Sequence, residues 1–220
     1  MSADPQREHW ETVFTSKPAV FGEAPSEAAR AALKALKHEG CDRLLELGAG
    51  QGRDTVYFGQ NGLHVTALDY SQAGIEALSK RAQDLGLSPM IQPLCHDIRA
   101  RLPFADGSFD ACYSHMLFCM ALETDELERL CGEVRRVLKP GGLHIYTVRN
   151  TDDPQFGAGA KRGEDMYEIS GGFVVHFFSE ALVARLSNGY ELLSLDRFEE
   201  SPLPRKLFSV TLRKPVASSQ

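Results

Sequence analysis

Between Arg43 and Val148 the chain alternates short apolar runs with helix-period segments, and this alternation constrains the fold more than any other feature. Arg43 to Leu47, His64 to Leu68, Met90 to Leu94, Phe109 to Ser114 and Leu143 to Val148 read as strands bounded by turn formers. Helix patterns lie between them, from about Arg53 to Gly59, from a Ser71 cap to about Leu85, and from Asp125 to Leu138. The last carries Leu127, Leu130, Val134 and Val137 on one side and is ended by Lys139-Pro140-Gly141-Gly142. Parallel neighbours need crossover connections, so the order predicts an α/β fold: a doubly wound, mostly parallel sheet with helices on both faces.

The flanks are read the same way. Ser26 caps a helix through EAARAALKALKHEG that Gly40 stops. The segment before it, His9 to Pro25, is rich in aromatics and turn formers without sustained periodicity and reads as an extended arm with short helical pieces. After the fifth strand, Asn150 to Gly172 reads as an excursion. A helix from Ser179 to Leu186 follows, then strands near Glu191 to Arg197 and Leu207 to Leu212, joined by Glu199 to Pro204 as an antiparallel hairpin.

At 220 residues the expectation is one domain spanning 1–220, with an arm or lid at 1–25, an insertion at 149–178 and a polar tail at 215–220. The 30 Asp and Glu against 24 Lys and Arg, a formal charge of -6, oppose a nucleic-acid partner. No run approaches the roughly 20 apolar residues of a membrane helix, and MSADPQREHW lacks a signal peptide's apolar centre, so a cytoplasmic protein, monomer or homodimer, is expected. Five cysteines, odd in number and without C-x-x-C spacing, signal neither a disulfide framework nor a metal site.

Leu44-Leu45-Glu46-Leu47-Gly48-Ala49-Gly50-Gln51-Gly52 runs from a strand into glycines that open a helix, where backbone approaches a ligand closely. Nineteen residues past Gly50, Asp69 follows the second strand, where a carboxylate accepts hydrogen bonds from a ribose diol. A dinucleotide loop would read G-x-G-x-x-G. Arg53 occupies the third glycine position, which opposes a nicotinamide cofactor.

Glu46 to Gly52 resembles the first motif of the class I S-adenosylmethionine-dependent methyltransferases, and Asp69 resembles their ribose-binding acid. Cys95-His96-Asp97-Ile98 is similar to the segment that sets an Asp beside the adenine amino group and an apolar residue against the ring. Ser108 to Tyr113 resembles the fourth-strand motif, and Val134 to Gly142 (VRRVLKPGG) the segment before the fifth strand. The resemblance implies a Rossmann-like seven-stranded sheet of order 3-2-1-4-5-7-6 with strand 7 antiparallel, and S-adenosylmethionine as cofactor. The cofactor contacts it implies are Glu46, Gly48, Ala49, Gly50, Gly52, Asp69, Tyr70, Asp97, Ile98 and Ser114. The Gly52-Arg53-Asp54 continuation and the tryptophan-bearing arm resemble a tellurite-resistance or thiol-methyltransferase-like subgroup, which implies a soft small-molecule acceptor such as a thiol or a selenium, tellurium or arsenic species.

Methyl transfer from a sulfonium is an in-line displacement, so the protein chiefly aligns the acceptor and excludes water. Whether a base is needed depends on whether the acceptor must lose a proton. Ligands of a doubly wound sheet lie beyond the carboxyl ends of its strands, which nominates His115 as base and Tyr113 as a second catalytic candidate, against readings as a backbone-bonded histidine and a packed strand end. Arg53 is a candidate for the methionine carboxylate, or a salt bridge to Asp54. Trp10 and Phe21 either fold over the cofactor or cover the sheet. Arg149, Arg162, Tyr167 and His176 are candidates for acceptor recognition in the long connection, against a merely solvated loop, and Cys119 for a soft acceptor, against inert packing. His64, His96 and His144 read as core or rim residues. A non-catalytic S-adenosylmethionine-binding or sensor protein, and an enzyme acting on a protein side chain, share every cofactor feature. A polar cluster facing the sulfonium would favour an enzyme.

Overall fold

The computed structural model describes residues 5–169, 172–200 and 204–216. Its elements follow in the order α1 (Pro5–Ser16), α2 (Glu27–His38), β1 (Arg43–Leu47), α3 (Arg53–Gln60), β2 (His64–Asp69), α4 (Gln72–Asp84), β3 (Ile91–Cys95), β4 (Phe109–His115), α5 (Thr124–Val137), β5 (Leu138–Arg149), β6 (Ala160–Gly163), β7 (Met166–Glu168), β8 (Val174–His176), α6 (Glu180–Leu186), β9 (Glu191–Glu200) and β10 (Arg205–Arg213). Seven strands form one sheet in the order β3-β2-β1-β4-β5-β10-β9. β1 to β5 are parallel, and β10 enters antiparallel between β5 and β9. This is the order the sequence implied.

The period of two along each strand builds two cores. Leu44, Ala111, Tyr113 and Ile145 face a layer made by Leu36 of α2, Phe58 of α3 and Leu78 of α4. Leu45, Leu47, Cys112, Tyr146 and Val148 face Leu130 and Val134 of α5 and Val183 and Leu186 of α6. β3 tolerates Pro93 because it is an edge strand, where a missing N–H breaks no interior ladder bond. Among the described residues no helix is long and apolar enough to cross a membrane.

Three features depart from expectation. The arm is a twelve-residue helix, α1, fixed by tertiary contacts rather than by propensity. Its Glu11 carboxylate accepts the Ser71 hydroxyl at 2.6 Å and the Ala73 N–H at 3.1 Å, which caps α4 from outside. Lys139 to Gly142 does not precede the fifth strand but lies inside β5, where Phe109 pairs with Leu138 and the register shifts before Ala111 pairs with Leu143. The long excursion carries a three-stranded antiparallel sheet of its own, β6-β7-β8, from segments too short and polar to show strand alternation.

His144 of β5 is fully buried among Phe118, Tyr146 and Tyr190, and neither ring nitrogen has a hydrogen-bond partner. Burial pushes its pKa down to about 3. The unfolded chain binds this proton below the ordinary value of about 6.5 and the folded chain does not, so stability is lost as pH falls from about 6.5. Urea midpoints of the wild type are expected to fall between pH 6.5 and 5, and His144→Phe is expected to flatten that slope by up to about 1.4 kcal/mol per pH unit; an unchanged slope would show that this ring is not the titrating group.

Candidate active site

The carboxyl ends of β1, β2, β3 and β4 open into a cavity of about 760 Å³. Its first wall is the turn after β1. Gly48 and Ala49 both donate their N–H to the Leu68 carbonyl, at 2.8 and 3.0 Å, which pins the turn to the end of β2. Gly50 then donates to Asp69 Oδ2 at 2.8 Å, and Asp69 Oδ1 accepts the Ser71 N–H at 2.9 Å. Burial outweighs these bonds and raises the Asp69 carboxyl above its ordinary range. Gly52 ends the turn at φ 81, where a Cβ would lie 2.2 Å from Leu78. Gly52 therefore seats α3 against α4 and is not part of the cavity wall.

Beneath the turn lie two further acids that line the cavity. Glu46 is buried, and its Oε2 has no hydrogen-bond partner. Desolvation, with the neighbouring Asp54 charge next, pushes its pKa up to about 8. Asp54 fares oppositely. Burial would raise it, but Arg53, the His115 charge and Ser26 together hold it below its ordinary value. Ser26 donates to it from both N–H (2.8 Å) and hydroxyl (2.7 Å), Tyr113 donates at 3.1 Å, and Arg53 Nε donates at 3.1 Å. Arg53 also lies over the Phe21 ring and lines the cavity, so the salt bridge and the cavity position hold together.

Tyr70, Asp97 and Ile98 line the same cavity, with Asp97 held by a forked bond from Arg99. Trp10 and Phe21 line it too, within an aromatic cluster that joins Trp10 to Phe14 at 5.3 Å, to Phe21 at 5.8 Å and to Phe173 at 5.7 Å. Phe14 packs against both Gly50 and Gly74, so α1 sits directly on the glycine turn.

The far end is built around His115. Its Nδ1 is 2.7 Å from the Thr147 hydroxyl and its Nε2 is 3.2 Å from Glu200 Oε1. Thr147 Oγ1 accepts the Met116 N–H at 3.3 Å, and among the described residues its own proton has no acceptor but His115 Nδ1. The Glu200 carboxylate can only accept, so the Nε2 of the ring carries a proton and donates it to Glu200. Burial would raise the Glu200 carboxyl, but His115, Arg53 and Arg205 draw it below its ordinary value. Met116 holds a left-handed backbone (φ 62), a strained turn of the kind that marks functional sites.

Several expected site residues lie elsewhere. Tyr113 is fully buried beneath α2 and α3 with its hydroxyl committed to Asp54, and burial raises its pKa well above 10. It is a scaffold residue. Ser114 points into the opposite core. Cys119 is buried beside Met116, with its thiol pushed up to about 11 by burial. His176 is buried and bonded to the Leu122 carbonyl at 2.8 Å, with its pKa lowered by burial. Arg162 is exposed and paired with Glu168, and Tyr167 packs between Phe156 and Phe177. Arg149 does line the cavity, but it is buried and committed to Asp153 and Gln155.

The sequence reading missed Gln6, Asp54, Phe173, Glu200 and Arg205, all of which line the cavity. Most reach it only through tertiary docking. Asp54 alone had a local signal, as an acid in the first turn of the helix after the glycines.

Residues 45–146 match the family model described as a methyltransferase domain. The chain is 29% identical over 172 residues to the 24-methylenesterol C-methyltransferase 2 of Oryza sativa subsp. japonica, a match covering 70% of this chain and 46% of that protein. The chain thus spans about half the length, or less, of the first curated relatives it matches. A solved 1,6-didemethyltoxoflavin-N1-methyltransferase of Burkholderia thailandensis, with S-adenosylhomocysteine bound, superposes with a TM-score of 0.75 at 19% identity, covering 98% of this chain and 92% of that one. This chain has the class I methyltransferase fold. TehB of Haemophilus influenzae shares the fold at a TM-score of 0.64 and 19% identity, covering 84% of this chain and 62% of that one.

The buried acids make a specific expectation. A carboxyl whose pKa rises on folding contributes its cost above the unfolded value, and that cost is fully present above about pH 8 for Glu46. Glu46→Gln is therefore expected to raise the melting temperature of the ligand-free protein at pH 8.5 by more than at pH 5, by roughly 1–3 kcal/mol in stability; equal melting at both pH values would contradict a buried, unsatisfied carboxyl.

Proposed function

We propose that the chain is an S-adenosylmethionine-dependent methyltransferase acting on a small-molecule acceptor. The observation that carries this reading is the convergence, at three successive parallel strand ends, of the Gly48–Gly50 turn, the Asp69 carboxylate and the Asp97-Ile98 pair on one cavity. The residues fit the cofactor on a second ground. Glu46 lines the cavity, and its buried Oε2 has no donor; an ammonium group is the kind of donor it lacks.

S-adenosylmethionine supplies a methyl group already activated on a sulfonium, so the chain's own work is binding, alignment and exclusion of water. Asp69 accepts the Gly50, Ser71 and Tyr70 N–H groups, and its remaining lone-pair capacity is what a ribose diol would use. Asp97 and Ile98 supply an acceptor and an apolar face to the adenine. Glu46 takes the ammonium and Arg53 the carboxylate of the methionine end. Trp10, Phe14 and Phe21 cover the turn from α1 and the segment after it. The polar group His115, Glu200 and Arg205 at the far end favours an enzyme over a binder that merely occludes the cofactor.

The acceptor class is a separate matter. The relatives act, by name, on a sterol carbon and on a ring nitrogen, so no single class carries over. The soft-acceptor reading leaned on Gly52-Arg53-Asp54 and on the tryptophan-bearing arm, and here Gly52 makes room for Leu78 while Asp54 anchors Ser26 and Tyr113. That tripeptide therefore has a role in the scaffold and at the cofactor whatever the acceptor is.

Calorimetric titration with S-adenosylmethionine and S-adenosylhomocysteine tests the proposal. Micromolar or tighter binding is expected, weakened roughly 10–100-fold in Asp69→Asn. Because Glu46 must lose its proton to meet an ammonium, proton release measured across buffers of different ionisation enthalpy is expected below about pH 8 and should vanish in Glu46→Gln. A protein that binds neither ligand would sink the reading.

A further inference from the structure

The far end of the cavity distinguishes acceptors by charge. His115 is held as its Nε2–H form by Thr147, so it presents a donor, not a lone pair, and it gives that donor to Glu200 Oε1. Glu200 comes from β9, in the hairpin that closes the sheet, and lines the cavity. Its second oxygen approaches Arg205 Nη1 only at 4.0 Å, beyond hydrogen-bond distance, and the Arg205 side chain is the more exposed of the two. The other cations that line this cavity are committed, Arg53 to Asp54, Arg149 to Asp153 and Arg99 to Asp97. Among the described residues Glu200 Oε2 makes no hydrogen bond and pairs with Arg205 only at 4.0 Å, and Glu200 lines the cavity. The same cavity is also lined by the apolar side chains of Met116, Met120, Ile169, Phe173 and Val175.

We propose that Glu200 contacts the acceptor and selects an uncharged nitrogen nucleophile on a flat apolar body, disfavouring anionic acceptors such as thiolates. The inference rests on the methyltransferase reading and names the acceptor class of the same site. In the transfer, the nitrogen lone pair forms the new N–C bond as the C–S bond breaks, the bonding pair leaves with the sulfur to give neutral S-adenosylhomocysteine, and the positive charge passes from sulfur to nitrogen. An ionised carboxylate beside the nitrogen is favourable where that charge arrives, and it repels an acceptor that arrives as an anion. His115 and Thr147 are positioning residues that fix the carboxylate.

The test needs no knowledge of the natural acceptor, because the product of such a transfer is a cation. Wild type, Glu200→Gln and Thr147→Val are saturated with S-adenosylhomocysteine and titrated with N-methylquinolinium and with 2-naphthoate, flat probes of opposite charge. The wild type is expected to bind the cation at least tenfold more tightly than the anion. Glu200→Gln should lose about tenfold of that preference, and Thr147→Val should lose part of it, while S-adenosylhomocysteine affinity stays within twofold in all three. A wild type without preference for the cation, or a preference that Glu200→Gln leaves unchanged, overturns the proposal. Failure of the methyltransferase reading is seen separately, in the absence of S-adenosylhomocysteine binding by the wild type.

Discussion

The Asp69 carboxylate is the interaction on which the site depends. One oxygen holds the Gly50 N–H and the other the Ser71 N–H, so a single side chain ties the turn after β1 to the start of α4. The Leu68 carbonyl doubles this tie through Gly48 and Ala49. Phe14 then rests on Gly50 and Gly74, and Glu11 caps α4 through Ser71 and Ala73. Helix α1 is thereby docked on the same junction, and with it Trp10 and the aromatic cover. A glycine turn alone would be a flexible loop. Held at both ends by a buried carboxylate, it becomes a fixed wall with lone pairs to spare.

What the sequence made legible follows from how local each signal is. The alternation of strand and helix patterns over Arg43 to Val148 specified a parallel sheet covered on both faces, and the strand order came from the resemblance of its motifs to the class I methyltransferases. The late hairpin was legible from two apolar runs, although β9 and β10 extend beyond them to Glu200 and Arg205. Those extra residues form the acceptor end, and nothing in their local pattern announced it. The cofactor end was legible because Glu46, Gly48, Gly50 and Asp69 sit at fixed distances along adjacent strands. The helix α1 was not, since Glu11 and Phe14 gain their meaning only from α4 and the glycine turn.

Histidines show the same limit. His115 was picked out by its place after β4, and it does line the cavity. Its tautomer depends on Thr147, thirty-two residues later, whose hydroxyl has one proton to give and a Met116 N–H to accept. The ring therefore donates where a base would accept. His144 and His176 lie near it in sequence chemistry but not in environment, both buried with lowered pKa values. Residue type nominates a histidine; only its two hydrogen-bond partners say what it can do.

The acids at the cofactor end set stability against binding. Glu46, Asp54 and Asp69 are all buried, and the Asp54 charge helps push Glu46 up to about 8 while Ser26, Tyr113 and Arg53 keep Asp54 ionised. The scaffold thus spends its hydrogen bonds on one acid and leaves its neighbour without a donor. An unliganded protein carries that cost, and a ligand that brings a cation removes it, so part of the binding energy is relief of strain already stored in the fold. The same logic runs at Glu200 in weaker form. Glu200 is only half-buried, hydrogen-bonded on one oxygen by His115 and weakly paired on the other with Arg205, and a cavity lined by two such acids is shaped for a reaction in which positive charge moves from one group to another.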